Sequence, residues 1–399
     1  MRRLITILLI LTAMWLRAER TDSLRTMWGA DVRPAWLLPT CKYYRGDNDL
    51  NQHPFGALSG TLKAALRFAP GSEGYRNYRD TYQGLAVGYT DFFHRSLIGR
   101  PVSVYLFQGF PVKRLSPRLG LYAEWEFGAS FGWHTQRYPD PAKPAVNGSA
   151  TTARLAINLA MRYRLSATAE LVAAFDLTHF SNGNTRFPNA GTNLAGLRLG
   201  VAVTPGNLSI PDGTIFDSYG PQQKPWSWDL LLYGAAHKKF YHNDEDVAIP
   251  LKGAYAVAGT TFGPMREYLG GLLRAGATLD LQWDRSADME RYSADDSIKG
   301  HIYTRMPPAW RQLSVGASIH GEIVLPYFAI NVGIGRNIWS PAPDQRVFYQ
   351  TLALRTMITR RLFLNIGYSL RNFAHPRTLM IGLGFRFGTP SAAPSLFGN

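Results

Sequence analysis

A histidine and a serine, two residues apart near position 180, have the types and spacing of a hydrolytic pair. The segment 169–181 alternates apolar and polar residues. Its odd positions are apolar up to Leu177, and His179 and Ser181 continue the same face. Side chains two residues apart on a strand lie on one side of the sheet. A serine hydroxyl becomes a nucleophile when a nearby histidine accepts its proton. The pattern alone is compatible with ester hydrolysis, but a pair that only hydrogen-bonds a loop is the more common explanation of this spacing.

The next strand could supply a third residue to this pair. The odd positions of 195–203 are apolar, and Asn193 extends the same face backwards. The hairpin between the two strands would bring Asn193 towards His179, where the amide oxygen could accept a hydrogen bond from one ring nitrogen. Three residues of the intervening loop are candidates for stabilising an oxyanion or holding a substrate: Asn182, Gly183 and Asn189.

Long alternation of apolar and polar residues recurs along the chain. It runs through 121–133, 153–163, 273–283 and 362–370. Each segment has one apolar and one polar face, which is typical of the strands of a membrane barrel. Short connections also alternate with long ones, as expected if turns and loops lie at opposite ends. The sequence therefore predicts an all-β protein, an antiparallel transmembrane β-barrel of about 12–16 strands.

The first residues are typical of a secretory signal peptide. Two arginines precede an apolar run that ends at Leu16, and Ala18 is a small residue suited to cleavage. The run is too short to span a bilayer as a helix, so an N-terminal anchor is the less favoured alternative. We therefore expect three segments: a signal peptide at 1–18, a barrel at 19–387 without an internal domain boundary, and a C-terminal tail at 388–399.

The formal charge of +15 could indicate a nucleic-acid partner. Many arginines, however, share polar strand faces with Glu124, Glu126, Glu170 and Asp176. Ion pairs inside a barrel and contacts with anionic lipid head groups are the better explanation, so we expect no nucleic acid. Cys41 is the sole cysteine, which excludes an intrachain disulfide and a cysteine-rich metal site. The chemistry of a serine and a histidine requires no metal or cofactor, and the oligomeric state stays open.

Other conspicuous residues have structural explanations. His94 and Ser96 repeat the spacing but lack the residues that follow Ser181, so we interpret them as chance. His320 and Glu322 share a polar strand face, where a hydrogen-bonded pair is a simpler explanation than a metal or acid–base site. Four aromatic residues fit anchors at a membrane interface: Trp125, Trp133, Tyr163 and Trp283.

Three short motifs resemble a known family. They are HFSNG at 179–183, PNAG at 188–191 and GLRLG at 196–200. They are similar to the lipid A 3-O-deacylases (PagL-like) and to related barrels labelled acyloxyacyl hydrolases. The resemblance is close over 179–200 and looser over 89–204. It implies an outer-membrane barrel whose site faces outward near the lipid interface and removes the acyl chain esterified at position 3 of lipid A.

The resemblance also implies roles for individual residues. It places the catalytic histidine at His179 and the nucleophile at Ser181, with lipid A of lipopolysaccharide as the partner. The family's acid falls, by spacing, at Asn193, an amide that can orient the imidazole but carries no charge. An Asp-to-Asn change in a serine-protease triad lowers turnover about 10⁴-fold. Asp176, the nearest acid in sequence, is expected on the lumen face.

Two other functions are compatible with the sequence. A barrel near sixteen strands could hold an aqueous lumen and act as a channel or transporter, with His179 and Ser181 incidental. The amide at Asn193 would also fit a catalytically inactive, structural barrel of the same family.

Overall fold

A computed structural model describes most of the chain, namely residues 24–136, 145–206, 225–242, 248–293, 302–373 and 375–388. The predicted signal peptide at 1–18 and the predicted tail beyond Gly388 lie outside these residues. The secondary structure is nearly all antiparallel strand. Within the described ranges, no helix combines the length and the apolar character needed to cross a membrane.

The first barrel is closed by eight strands in chain order. Its strands are β1 (Leu24–Leu37), β2 (Gly56–Phe68), β3 (Tyr82–Asp91), β4 (Gly99–Ser116), β5 (Leu119–Trp133), β6 (Thr151–Arg164), β7 (Ala169–Ser181) and β8 (Thr192–Val203). The barrel closes where β1 pairs with β8, with Trp28 opposite Val203. A helix of six residues, α1 (Glu73–Tyr78), follows β2. We call the end at which β1 and β7 finish the long-loop end.

The second barrel is built from the strands after residue 225. These strands are β9 (Trp226–His237), β10 (Phe240–His242), β11 (Ala248–Pro250), β12 (Tyr255–Tyr268), β13 (Leu273–Asp284), β14 (Glu290–Ser293), β15 (Ile302–Arg305), β16 (Leu313–Val324), β17 (Phe328–Trp339), β18 (Phe348–Met357), β19 (Leu362–Arg371) and β20 (His375–Gly388). Eight of them close the barrel, in the order β9, β12, β13 and β16 to β20. The pairs β10–β11 and β14–β15 are separate two-stranded sheets in its loops.

The predicted antiparallel barrel strands are confirmed, but they are divided between two closed sheets. The expected single barrel over 19–387 differs from this arrangement because β8 pairs back with β1 and β20 pairs back with β9. Alternation tells which way a side chain points, and it is the same in one large barrel and in two small ones. The segment 205–225, where one barrel would have needed a short turn, connects the two sheets. Of it, 207–224 lies outside the described residues.

Buried ion pairs fill the interior of the first barrel. Arg33 donates to Glu126 Oε1 at 2.7 Å and to Asp176 Oδ2 at 2.9 Å, while Lys63 donates to Glu124 at 2.7 Å. All five side chains are buried. An eight-stranded barrel leaves an interior just wide enough for side chains. These pairs therefore place basic residues of the sequence opposite acids, and they put Asp176 on the interior face, as its offset from His179 predicts.

The interior of the second barrel is organised in the same way. Glu322 accepts hydrogen bonds from Arg274 at 2.7 Å and from Arg355 at 2.6 Å. His320 lies on this interior face too, but its Nδ1 contacts Asn331 Oδ1 at 2.9 Å instead of Glu322. Asn331 in turn donates to Glu322 at 3.3 Å. The structural explanation of His320 and Glu322 thus agrees with their surroundings, which are a hydrogen-bond network.

Large apolar side chains cover the outward faces of both barrels. Ile157 is 63% exposed and Leu199 is 57% exposed in the first barrel, and Leu279 (64%) and Ile319 (66%) are their counterparts in the second. Their neighbours one residue along the strand point inward and are mostly buried. An apolar outside around a polar inside is the opposite of a water-soluble barrel and is the pattern expected in lipid.

Two of the four predicted interfacial aromatic residues are buried instead. Trp133 follows Gly132, whose φ of 92° turns the strand end, and its ring lies 4.9 Å from that of Phe180. Trp125 donates its indole N–H to Gln108 at 3.1 Å. Alternation predicts the face of a strand on which a residue lies, but it does not predict a local turn or the side chains that cover that face.

Replacing Glu126 by glutamine would leave buried guanidinium groups short of a carboxylate, since Arg33 and Arg154 both donate to it. Removing one partner of a buried ion pair costs about 3–5 kcal/mol. We expect Glu126→Gln to lower the free energy of unfolding of the first barrel by about 3 kcal/mol, measured by urea titration in lipid vesicles. Asp47→Asn, at an exposed loop residue, is the control and should change it by less than about 0.5 kcal/mol. Equal stability of the two variants would contradict this role of Glu126.

Candidate active site

The structure brings His179 and Asn193 together at the long-loop end of the first barrel. Strands β7 and β8 pair so that the two residues are directly opposite each other. The distance between His179 Nδ1 and Asn193 Oδ1 is 2.6 Å. Both side chains are half-buried, so the hydrogen bond is partly shielded from water while the imidazole remains accessible.

Ser181 is the last residue of β7 and is two residues beyond His179 on the same strand. In the pairing with β6, His179 is opposite Leu155 and Ser181 is opposite Ala153. The rise of two residues along a strand is about 6.6 Å, so the two side chains are neighbours on one face. Leu177, one step further down the row, is 39% exposed, whereas Ser181 is 6% exposed. The serine is thus buried at the end of β7.

Thr40, in the loop after β1, holds the amide of Asn193 from its other side. Asn193 Nδ2 donates to Thr40 Oγ1 at 3.2 Å. Because the NH₂ group is engaged there, the amide oxygen faces the imidazole and can only accept a hydrogen bond. His179 Nδ1 must then carry the proton, which leaves Nε2 as the basic nitrogen. The backbone joins the same elements, since the Leu38 N–H donates to the carbonyl of Asn193 at 2.9 Å.

Gly191 packs against the imidazole of His179. A Cβ built at this glycine would lie 3.0 Å from His179 Cε1, and the residue has a φ of 74°. Both features favour glycine here, because other residues rarely adopt this φ and a methyl group would press on the ring. Sequence reasoning named neither Gly191 nor Thr40 as a site residue. Gly191 does lie in the PNAG motif, whereas no sequence signal points to Thr40.

An apolar cluster of buried side chains lies at the same end of the barrel. Its members include Phe180 and Leu194, which neighbour the site residues in sequence. Tyr44 joins the cluster and its hydroxyl lies 2.5 Å from Thr192 Oγ1. Burial raises the pKa of the Tyr44 phenol, so this group is neutral at physiological pH. Among the described residues, no carboxylate forms an ion pair with His179.

Three residues of the loop between β7 and β8 are predicted to hold an oxyanion or substrate: Asn182 and Gly183 follow β7 directly, and Asn189 lies three residues before β8. Asn182 is buried and adjoins Ser181. Gly183 has a φ of 64°, and Asn189 is half-buried. Their roles stay predictions.

The second histidine–serine spacing, at His94 and Ser96, differs clearly from the first. Both residues lie in the loop between β3 and β4 and not on a strand. His94 Nδ1 is 3.1 Å from the carbonyl oxygen of Phe92, and Ser96 is exposed. The interpretation of this pair as chance is consistent with that arrangement.

Another histidine and serine meet inside the second barrel. Ser286 Oγ lies 3.1 Å from His237 Nε2, and Asp284 Oδ1 lies 3.3 Å from the same nitrogen. In a catalytic triad the acid and the hydroxyl bind opposite ring nitrogens. All three side chains are also buried, so this cluster is better explained as a structural network.

Models of known protein families match the sequences of both barrels. Residues 60–202 match the model described as "Lipid A 3-O-deacylase (PagL)", and residues 226–389 match "Acyloxyacyl hydrolase, C-terminal domain". The chain belongs to the PagL family of lipid A deacylases. Its location is accordingly the bacterial outer membrane. The boundary between the two family matches agrees with the division between the two closed sheets, since one match ends in β8 and the other begins at β9.

Other comparisons add little to this assignment. No curated protein matches the sequence. Solved structures with similarity include the TodX deltaS2S3 mutant monoaromatic hydrocarbon channel, at 13% identity, with 94% of this chain and 92% of that chain covered and a TM-score of 0.19. The siderophore receptor PirA from Acinetobacter baumannii has 9% identity, coverages of 92% and 73%, and a TM-score of 0.23. The translocator domain of NalP from Neisseria meningitidis has 8% identity, coverages of 95% and 93%, and a TM-score of 0.19. TM-scores this low carry no argument about function.

Adding a methyl group at Gly191 tests the packing of the His179 ring. We expect Gly191→Ala to displace the imidazole and lengthen the distance of 2.6 Å between His179 Nδ1 and Asn193 Oδ1, as seen in a crystal structure of the variant. Gly71→Ala is the matched control, because Gly71 has a φ of 89° but nothing within 4 Å of its Cβ position. Both variants should lose about 1 kcal/mol of stability from backbone strain. An unmoved ring in Gly191→Ala would show that Gly191 does not position His179.

Proposed function

We propose that this PagL-family protein hydrolyses an ester-linked acyl chain of lipid A, with Ser181 as the nucleophile and His179 as the general base. The observation that carries the proposal is the hydrogen bond from His179 Nδ1 to Asn193 Oδ1 at 2.6 Å. It supports a tautomer whose Nε2 is free to accept a proton, on the same strand face as Ser181. Polar side chains at the end of an apolar outward face also call for a functional explanation, because they cost free energy next to lipid.

The reaction follows from these positions. His179 Nε2 takes the hydroxyl proton of Ser181, and Oγ attacks the ester carbonyl carbon to form a tetrahedral intermediate. The bond to the sugar oxygen then breaks, and the imidazolium returns its proton to that oxygen. Water, activated by His179, next attacks the acyl-serine and releases the fatty acid. Asn182, Gly183 and Asn189 are the proposed source of oxyanion or substrate contacts.

The outward position of the pair suits a substrate that is itself part of the membrane. Exposed apolar residues of β7 and β8, including Leu177 and Leu197, lie beside the site. An acyl chain lying along this face would reach His179 and Ser181 without leaving the hydrocarbon. The family resemblance favours the chain at position 3 of lipid A.

Asn193 takes the place of an acid in this proposal. A neutral amide orients the ring but stabilises the imidazolium less than a carboxylate does, since hydrogen bonds to charged groups are roughly twice as strong. The loss in a protease Asp-to-Asn variant is due to the wrong tautomer. Here the amide oxygen of Asn193 faces His179 Nδ1 while its NH₂ group donates to Thr40, and this orientation supports the productive tautomer, so the amide is compatible with activity.

A channel function has less support from the structure. The earlier expectation of an aqueous lumen assumed one barrel of about sixteen strands, whereas each sheet closes after eight. In the described residues, buried ion pairs such as Arg33 with Glu126 and Arg274 with Glu322 take up the interiors. Diffusion through either barrel would require these networks to be displaced.

Ser181→Ala tests the nucleophile directly. Mass spectrometry of lipid A from cells that express the wild-type protein in a heterologous outer membrane should show the loss of one acyl chain. Lipid A from Ser181→Ala cells should be unchanged, because no acyl-serine forms. Ser96→Ala is the matched control and should behave as wild type. Deacylation by Ser181→Ala would move the nucleophile elsewhere, and no deacylation by any correctly inserted form would favour the structural, inactive barrel.

Asn193→Asp tests the role of the missing charge. A carboxylate beside His179 Nδ1 should stabilise the imidazolium, and we expect kcat to rise about tenfold, which corresponds to about 1.4 kcal/mol. The measurement is the rate of fatty-acid release by purified protein in mixed micelles with lipid A. If Asn193→Asp releases fatty acid no faster than the wild type, the neutral charge of Asn193 does not limit the action of His179 as a general base.

Thr40→Val tests whether the amide must be held in one orientation. Valine has a similar shape but removes the hydrogen-bond acceptor, so the Asn193 amide can rotate and present its NH₂ group to the ring. We expect at least a tenfold loss of kcat. In the Asn193→Asp background the same change should have little effect, because both carboxylate oxygens accept. If Thr40→Val lowers kcat equally with Asn193 and with Asn193→Asp, Thr40 supports the structure of the site and does not orient the amide.

A further inference from the structure

The outward face of the second barrel contains a groove of about 560 Å³. This volume falls in the range of about 300–1,000 Å³ that is typical of ligand pockets. The groove follows one line of directly opposite residues across five neighbouring strands: Phe262, Leu279, Ala317, Arg336 and Phe348. It is separate from the site at His179 in sequence and lies wholly on strands of the second barrel.

Small residues among large ones create the depression. Ala277 and Ala317 lie at its floor, while Leu279, Ile319 and Ile334 beside them are 64%, 66% and 42% exposed. The lining is therefore almost entirely apolar. An apolar groove on the membrane-facing side of a barrel is filled by the hydrocarbon of surrounding lipids. An acyl chain that lies along the groove makes more van der Waals contacts than one that lies across it.

Arg336 places a charge next to Phe348, near one end of the groove. It is exposed on the outward face of β17, three residues before that strand ends at Trp339. Its guanidinium lies 5.1 Å from the ring centroid of Phe348. Among the described residues, no carboxylate forms an ion pair with it. An arginine on the lipid side of a membrane barrel is costly at the bilayer centre but not near the head groups, where it can meet an anion.

The length and orientation of the groove fit a lipid of one leaflet. Four steps between strands of about 4.8 Å give a length of about 19 Å from Phe262 to Phe348. Because barrel strands tilt by about 35–45°, this line rises about 11–13 Å along the membrane normal, within the ~15 Å that one leaflet contributes to the hydrocarbon core. Arg336 lies towards the end of β17 that precedes the connection 340–347, which is longer than the 325–327 turn at its other end. Long loops of outer-membrane barrels are extracellular, so the charged end faces the outer leaflet.

We propose that this groove is a second lipid A site, which binds one acyl chain along Ala277 and Ala317 and a phosphate group at Arg336. One lining hydroxyl does pair with a base, since Ser318 Oγ lies 2.9 Å from His320 Nε2. That serine is buried and also bonds Asp280 in the barrel interior, so the occupant of the outward groove is an intact lipid. The inference depends on the outer-membrane location of the family and not on the catalytic roles of His179 and Ser181.

Native mass spectrometry of the full-length protein in detergent, titrated with hexa-acylated lipid A, counts the bound lipids. The Ser181→Ala background is used to suppress turnover, and the mass of the bound lipid shows directly whether any acyl chain is still lost. We expect Ala317→Leu, which fills the floor, to lose one bound lipid A or to weaken its binding more than tenfold. Ala258→Leu is the matched control, because Ala258 is exposed on β12 and lies outside the groove. Equal lipid binding by Ala317→Leu and Ala258→Leu would overturn the proposal, as would a change of oligomeric state in Ala317→Leu without loss of lipid.

The head-group contact has its own test. Arg336→Gln should weaken the binding of bisphosphorylated lipid A about tenfold and leave the binding of dephosphorylated lipid A unchanged. Arg266→Gln is the control, because Arg266 also contacts aromatic rings on the outward face, those of Trp226 and Tyr268, but at the other end of the barrel. Phosphatidylglycerol that binds as tightly as lipid A would refute the choice of lipid. Deacylation is measured separately, so a failure of the catalytic proposal leaves this result interpretable.

Discussion

The closure of each sheet after eight strands is the constraint on which the other features depend. A closed sheet pairs every strand edge, so no backbone donor or acceptor faces hydrocarbon. Eight strands also leave an interior that side chains alone can fill. The chain fills it with buried charges in opposite-sign pairs, such as Arg33 with Glu126 and Arg274 with Glu322. Chemistry on a membrane lipid is therefore left to the outward faces and to the loop ends.

The candidate site uses three separate pieces of chain to hold one imidazole on such an outward face. Strand β7 provides His179, β8 provides Asn193, and the loop after β1 provides Thr40. Each hydrogen bond in this chain has a defined direction, from the ring N–H to the amide oxygen and from the amide NH₂ to the threonine oxygen. An amide has one donating and one accepting side, so it fixes a tautomer only when its other side is also held. A carboxylate would not need that second contact.

The sequence predicts strand faces well because they depend only on local alternation. Asp176 is buried and Leu177 is exposed, as their parity requires, and the approach of Asn193 to His179 follows from a hairpin whose two strands share an outward face. Division into two barrels could not be predicted, because the alternation of β8 is the same whichever strand it pairs with. Thr40 is 153 residues from Asn193, and sequence spacing carries no information about such a contact. Alternation predicts Trp133 at the membrane interface, but the residue is buried because the φ of 92° at Gly132 turns the strand end.

A neutral partner for the histidine also has a physical rationale in this location. An aspartate at position 193 would place a permanent anion beside an apolar surface, where a charge that loses its hydration is destabilised. That anion would lack a full counter-charge until the reaction forms the imidazolium. An amide avoids this cost in the ground state but provides less stabilisation when the imidazolium forms. Asn193 is only half-buried, and a carboxylate there would keep part of its hydration, so the gain in the transition state should exceed the cost at rest.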